Sequence, residues 1–120
     1  MQDFADEVVV EMTPEENWNL LEHALLGRLA LSVRDDVDIF PINFAVFEGA
    51  LYFRTSPGSK LAELTANPRV ALEADRYDDE TAASVIVKGI AERLELQSDI
   101  DRADALDLRP WIPTLKYRWV

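Results

Sequence analysis

The sequence predicts a mainly β fold, an antiparallel barrel of about six strands with helices at the start, in the middle and near the end. Two observations carry that expectation. Short apolar stretches with two-residue alternation recur along the chain, separated by turn residues. The helical patterns do not alternate regularly with the strands, as a doubly wound parallel sheet requires.

Taken in order, Thr13-Pro14-Glu15-Glu16 reads as a helix start, with Thr13 as N-cap, Pro14 at the first position and Glu16 closing a capping box. Trp18, Leu21 and Leu25 follow at helical spacing beside Leu20 and Ala24, and Gly27 is expected to end the helix. Leu29, Leu31 and Val33 then alternate with Ala30, Ser32 and Arg34, a half-buried strand stopped by Asp35-Asp36. Residues 39–47 form a second strand. Glu48-Gly49 turns it back into a third at 50–55, so three consecutive antiparallel strands are expected.

Ser56-Pro57-Gly58 reads as a loop, and Ser59 as the N-cap of a short helix over 60–66 that Asn67-Pro68 stops. Residues 70–74 return as a strand, 77–81 as an acidic loop, and 84–96 as one long strand with a bulge or bend at Gly89. A strand of that length can curl from one sheet into another. A short acidic helix over 98–106, a rigid Pro110-Trp111-Ile112-Pro113 segment and a last strand over 115–120 complete the chain. One domain is expected over 1–120, with a helical lead-in at 13–26, a barrel core at 27–97 and a short helix and last strand at 98–120. A chain of this size buries about two thirds of the surface its unfolded form exposes, so it can build a core without staples.

Composition narrows the function. The 120 residues include no cysteine, which excludes thiol nucleophiles, redox pairs and zinc–thiolate sites. Twenty-three acids against 12 Lys and Arg give a net charge of −11, which disfavours nucleic acid and anionic membrane surfaces. The longest uncharged apolar stretch, 39–47, falls far below the roughly 20 residues a spanning helix needs. The N-terminus is acidic where a signal peptide would be basic, so a cytoplasmic location is expected.

No phosphate-loop, dinucleotide, nucleophile-elbow or zinc-protease motif is present. His23, the single histidine, has no second ligand beside it and reads as a structural or solvent-facing residue. The acidic runs at 35–38 and 78–80 read as solvated turns, and no metal site is expected.

Between Gly49 and Leu61 the only charged residues are Arg54 and Lys60, a local basic island in an acidic chain. There a strand delivers Thr55 and Ser56, and a helix opens at Ser59 with its free amides outward. Such a helix start holds a phosphate or carboxylate, and Arg54, Lys60 and the hydroxyls of Thr55, Ser56 and Ser59 are the donors. The competing reading is an ordinary helix cap beside two surface cations.

The blocks Gly27-Arg28-Leu29-Ala30-Leu31-Ser32-Val33, Asp38-Ile39-Phe40-Pro41-Ile42-Asn43-Phe44, Leu51-Tyr52-Phe53-Arg54-Thr55-Ser56-Pro57-Gly58-Ser59-Lys60-Leu61, Asn67-Pro68-Arg69-Val70-Ala71-Leu72-Glu73 and Ser84-Val85-Ile86-Val87-Lys88-Gly89 stand in an order and spacing that resemble the pyridoxamine 5'-phosphate oxidase-like split-barrel family. The resemblance implies a six-stranded antiparallel split barrel of the FMN-binding type, forming a homodimer with cofactor grooves between subunits. It places Pro41, Ile42, Asn43 and Phe44 along the flavin ring and Arg54, Thr55, Ser56, Ser59 and Lys60 at its phosphate. Trp111 would stack on the cofactor across the interface or anchor packing. Alternation puts Pro41, Asn43 and Ala45 on one face and Phe40, Ile42, Phe44 and Val46 on the other.

Ala83 stands where similar proteins carry an aromatic residue, and the bases that grip a pyridoxal substrate are not identifiable, so that activity is not carried over. The implied function is an FMN-dependent oxidoreductase acting on a small molecule, with no general acid or base assigned. A deazaflavin-dependent reductase and a non-catalytic flavin- or haem-binding module are the alternatives.

Overall fold

A computed structural model describes residues 9–24, 26–55, 59–106 and 118–120, with the backbone alone at 59–61 and 118–119. The elements are α1 (Pro14–His23), β1 (Gly27–Val33), β2 (Asp36–Ile42), β3 (Ala45–Phe47), β4 (Ala50–Tyr52), β5 (Arg54–Thr55), α2 (Ser59–Ala66), β6 (Arg69–Tyr77), β7 (Ala82–Ile90), α3 (Gln97–Asp104) and β8 (Arg118–Trp119). All strand pairings are antiparallel. The mainly β class and the helix placement agree with the sequence reading.

The strands form a four-stranded sheet, β2-β1-β6-β7, and two ribbons, β3-β4 and β5-β8, which do not close into one barrel among the described residues. Two expected strands are each divided. The 39–47 run breaks at Asn43-Phe44 into β2 and β3, and 50–55 breaks at Phe53 into β4 and β5. Each break turns a Phe into the core, where Phe44 and Phe53 are both buried.

The first helix begins as the sequence indicates. Thr13 Oγ1 accepts from the Glu16 amide at 3.2 Å, and the Glu16 carboxylate accepts from the Thr13 amide at 3.1 Å. It ends earlier than expected, at His23, with Ala24 extended. Gly27 is therefore not a helix stop but the first residue of β1, and it serves close packing. A Cβ there would lie 2.9 Å from Phe44 Cε1 and 3.1 Å from the Glu73 carbonyl oxygen.

β1 and β2 meet in a tight hairpin at Arg34-Asp35, Val33 facing Asp36, with Arg34 at a φ of 58°. The acids at 36 and 38 thus belong to β2 rather than to a turn. The Glu48-Gly49 turn is as expected, both residues having positive φ, and a side chain added at Gly49 would meet nothing within 4 Å of its Cβ.

β6 and β7 pair over their full length, from Arg69↔Ile90 to Tyr77↔Ala82. Tyr77 therefore lies in a strand, and the acidic loop is a turn in which Asp78 accepts from the amides of Glu80 and Thr81 at 2.8 and 2.7 Å. The ladder runs through Gly89 without a bulge and stops at Ile90, short of residue 96. The reason is local: the Ala91 amide donates to Pro68 (2.8 Å), and beyond Pro68 the chain turns into α2 and offers no partner strand.

Leu20, Leu21, Leu29, Leu31, Phe44, Phe53, Leu64, Leu72, Val85 and Val120 belong to one buried cluster. The inner face of the four-stranded sheet supplies its floor. Leu21, Leu29 and Leu31 are its most completely enclosed large side chains.

The two glycines make a paired test. Gly49→Ala should cost about 1 kcal/mol through the left-handed backbone alone. Gly27→Ala should cost more, about 1–3 kcal/mol, because the new methyl group meets a backbone carbonyl and the Phe44 ring. Chemical denaturation of both variants measures this; equal losses would contradict the packing role of Gly27.

Candidate functional site

The residues singled out by sequence fall on two adjoining stretches. Pro41 and Ile42 end β2, and Asn43 and Phe44 form the break before β3. β3 and β4 then pair with Ala45 opposite Tyr52, so Asn43 and Arg54 leave the same end of this hairpin, each two residues beyond that pair.

Side-chain alternation holds across the break. Pro41 is exposed and Asn43 half-buried, whereas Ile42 and Phe44 are buried in the core and Phe40 and Val46 pack against it. Among the described residues β2 is an edge strand, where a proline costs no internal ladder bond.

Arg54 is half-buried, and Thr55 is the one buried polar residue among those described. β5 is fixed by β8: Arg54 is in register with Trp119, and Phe53 and Val120 exchange backbone hydrogen bonds of 2.9 and 2.8 Å. Ser59 and Lys60 are the first two residues of α2, one residue earlier than the capped start the sequence suggests. Ser56 and Trp111 lie outside the described residues. Ala83 packs against the core.

α2 is tied to β1 at its far end, where Asn67 Nδ2 donates to the Ser32 carbonyl at 2.6 Å. Glu63, on α2, contributes a feature the sequence reading missed. The Asp38 carboxyl of β2 acts on its carboxyl, and one of its oxygens, Oε2, is buried with no hydrogen-bond partner among the described residues. Two carboxyl groups can share a hydrogen bond only while one holds a proton. Hydrogen bonding to Asp38, then burial, then the charges of Asp38 and Asp36 hold Glu63 above the usual carboxylate range.

The outer face of the four-stranded sheet continues from Pro41. Val37, Ile39, Ile86 and Ile90 all lie on it with more than half of their surface exposed. Arg28, in register with Pro41, donates to Glu73 at 2.8 Å and lies 3.4 Å from Asp75. His23 is outside this region; its Nδ1 donates to the Asn19 carbonyl at 2.8 Å. No helix is long and apolar enough to cross a membrane, among the described residues.

These features define the fold class of split-barrel proteins, and comparison with known proteins gives the family. A family model described as pyridoxamine 5'-phosphate oxidase matches residues 13–118. A Corynebacterium glutamicum protein of known structure, provisionally named a pyridoxamine 5'-phosphate oxidase, is 42% identical with a TM-score of 0.82, covering 90% of this chain and 81% of its own. An FAD-binding protein of Mycobacterium smegmatis is 35% identical with a TM-score of 0.78, covering 93% and 90%. An uncharacterized Mycobacterium tuberculosis protein, Rv3129, is 41% identical over 64 residues, 53% of this chain and 58% of that relative's length. The chain belongs to the pyridoxamine 5'-phosphate oxidase family.

The Glu63 pair predicts a pH dependence. A carboxyl whose folded-state pKa is raised stabilises the fold while protonated. That stability is present below the ordinary glutamate value, about 4.3, and is lost as pH rises from there through the raised folded value. Glu63→Gln keeps a donor for Asp38 at every pH. Melting temperatures between pH 4 and 8 should therefore fall less for the variant with rising pH, leaving it more stable at pH 7. Parallel profiles would show that the pair does not share a proton.

Proposed function

We propose that the protein binds a flavin nucleotide, specifically FMN, and acts as a flavin-dependent oxidoreductase on a small molecule. The observation that carries this is that the β3-β4 hairpin starts two residues after Asn43 and ends two residues before Arg54, with α2 opening at Ser59 shortly after β5 in the chain. The family membership and the FAD-binding neighbour support it.

The donor set fits a phosphate. Arg54 and Thr55 supply a guanidinium and a hydroxyl from β5, and the first turn of α2 supplies backbone amides with the positive end of its dipole. Lys60, its second residue, adds a compact charge. Pro41, exposed at the end of β2, and Asn43, half-buried just after it, alternate with the core residues Ile42 and Phe44, so a flat ring can lie against the backbone there with Asn43 at its edge. The flavin, when bound, supplies hydride transfer. This chain's residues bind and orient it, and none is assigned a proton-transfer role.

A homodimer belongs to the same reading. The face that begins at Pro41 carries Val37, Ile39, Ile86 and Ile90 in the open, and apolar exposure of this kind marks interaction surfaces. A second copy covering it would enclose the ring beside Pro41. Light scattering coupled to gel filtration tests the state, and Ile39→Glu should yield monomers if this face is the interface.

The decisive experiment is to extract cofactor from purified protein, separate FMN, FAD and deazaflavin chromatographically, and titrate each into the cofactor-free chain. FMN should bind with quenching of its fluorescence. Lys60→Ala should weaken that binding about tenfold or more, in line with charge-assisted phosphate contacts. Unchanged affinity would remove Lys60 from the phosphate site, and no response to any flavin would overturn the reading as a whole.

A further inference from the structure

The outer face of the four-stranded sheet is ordered in rows. Residues paired across an antiparallel ladder project to the same side of the sheet, so the register alone assigns each row. The middle row is Ile39, Ala30, Ala71 and Lys88, one residue from each strand. On one side of it stand Pro41, Arg28, Glu73 and Ile86, again in register. On the other side stand Val37 of β2 and the pair formed by Arg69 of β6 and Ile90 of β7.

The two flanking rows complement each other strand by strand. On β7 both neighbours of Lys88 on this face are isoleucines, and on β2 both neighbours of Ile39 are apolar, Val37 and Pro41. On β6 the match is one of charge, with Arg69 to one side of Ala71 and Glu73 to the other. Arg28 lies between Glu73 and Asp75, and one positive charge against two negative ones leaves one negative charge over. Arg69 carries the opposite charge at the far end of the same face.

We propose that two copies of the chain stack these faces about a two-fold axis that runs along the middle row, across the strands, so that Arg69 of each copy pairs with Glu73 of the other. This rests on the homodimer reading above and adds to it how the copies meet. Rotation about that line sets each strand over its own counterpart with its direction reversed, so Ile90 lies over Ile86 and Val37 over Pro41, twice in the pair. Ala30 and Ala71 are the small residues of the middle row. They let the sheets approach to about 10 Å and leave room for Arg69 and Glu73 to reach across. Lys88 meets its own copy, but β7 is an edge strand among the described residues, and a long lysine side chain there turns its charge to solvent.

A two-fold axis parallel to the strands would instead set β1 over β6. Arg69 would then face the outward residues of β1, Arg28, Ala30 and Ser32, which include no acid. Covering a cation without a partner is costly, so the charges select the first stacking. Complementary charge sets the register of an interface in this way.

The test is charge reversal followed by mixing, with full chains, no added cofactor and association measured by analytical ultracentrifugation. Arg69→Glu should weaken self-association about a hundredfold, from about tenfold at each contact and two such contacts per dimer. Glu73→Lys should do the same. Mixed in equal amounts, the two variants should regain a dimer close to the parent in strength, because both contacts of the mixed pair again join opposite charges. Melting temperatures show whether each variant is folded. The parent dimer should also loosen as salt is raised, a measurement that serves if a variant does not fold. A monomeric parent would overturn the homodimer reading and this inference together. Variants that dimerise as the parent does, a mixture that stays monomeric, or a dimer indifferent to salt would overturn this stacking and leave the homodimer reading standing.

Discussion

The close approach of Phe44 to Gly27 sets the course of everything that follows in the chain. Gly27 leaves a space bounded by the backbone of Glu73 and the side chain of Leu72, and the Phe44 ring is seated against it. Once that ring is buried, the chain cannot continue flat along the edge of the four-stranded sheet. It leaves after Ile42, and β3 finds its partner in β4 instead. Pro41 and Asn43 are left on the opposite side from the core, and the return of the hairpin delivers Phe53 inward and Arg54 beside them. A single missing side chain on β1 thus positions both halves of the candidate site.

The charge distribution acts on the same region. The net charge of −11 makes the body repel anions. Arg28 sits beside Pro41 but is engaged by Glu73 and Asp75, so this cation is already matched by two carboxylates. Exposed pairs of this kind add little to stability; their effect is on local potential. The stretch from Gly49 to Leu61 contains no acid, and Arg54 and Lys60 are the charged residues within it. Beneath it, Asp38, burial and Asp36 hold Glu63, on the helix that would hold the phosphate, above the usual carboxylate range.

Much of the fold was legible because its signals are local. The Thr13–Glu16 capping box, the Glu48-Gly49 turn and the alternation of β1 are set by neighbouring residues, and each stands where the sequence indicates. The misread points depend on residues far apart in sequence. Asp36 and Asp38 look like a turn, yet they complete β2 because Val33 and Leu31 face them across a two-residue connection. Gly27 looks like a helix stop because its contact with Phe44 lies 17 positions away. The long strand over 84–96 ends at Ile90 because its partner runs out at Pro68, which no pattern within the strand records. In the candidate site, the alternation of Pro41 and Asn43 against Ile42 and Phe44 was readable from period alone. The Glu63–Asp38 pair was not, since it joins a helix and a strand 25 residues apart.

Three glycines of this chain differ in what requires them. Gly27 is required by contact and Gly49 by backbone conformation, and each requirement is visible in the folded chain. Gly89 meets neither. It also lies where the four-stranded sheet ends, and among the described residues the β3-β4 ribbon has not joined it, so no closed ladder bounds the gap there. A gap of that kind costs core packing, since its lining atoms lack partners on one side. A Cβ at position 89 would meet nothing within 4 Å among the described residues, so an alanine there would neither clash nor fill the gap. Of the three, position 89 is therefore the one where neither contact among the described residues nor backbone conformation opposes an alanine.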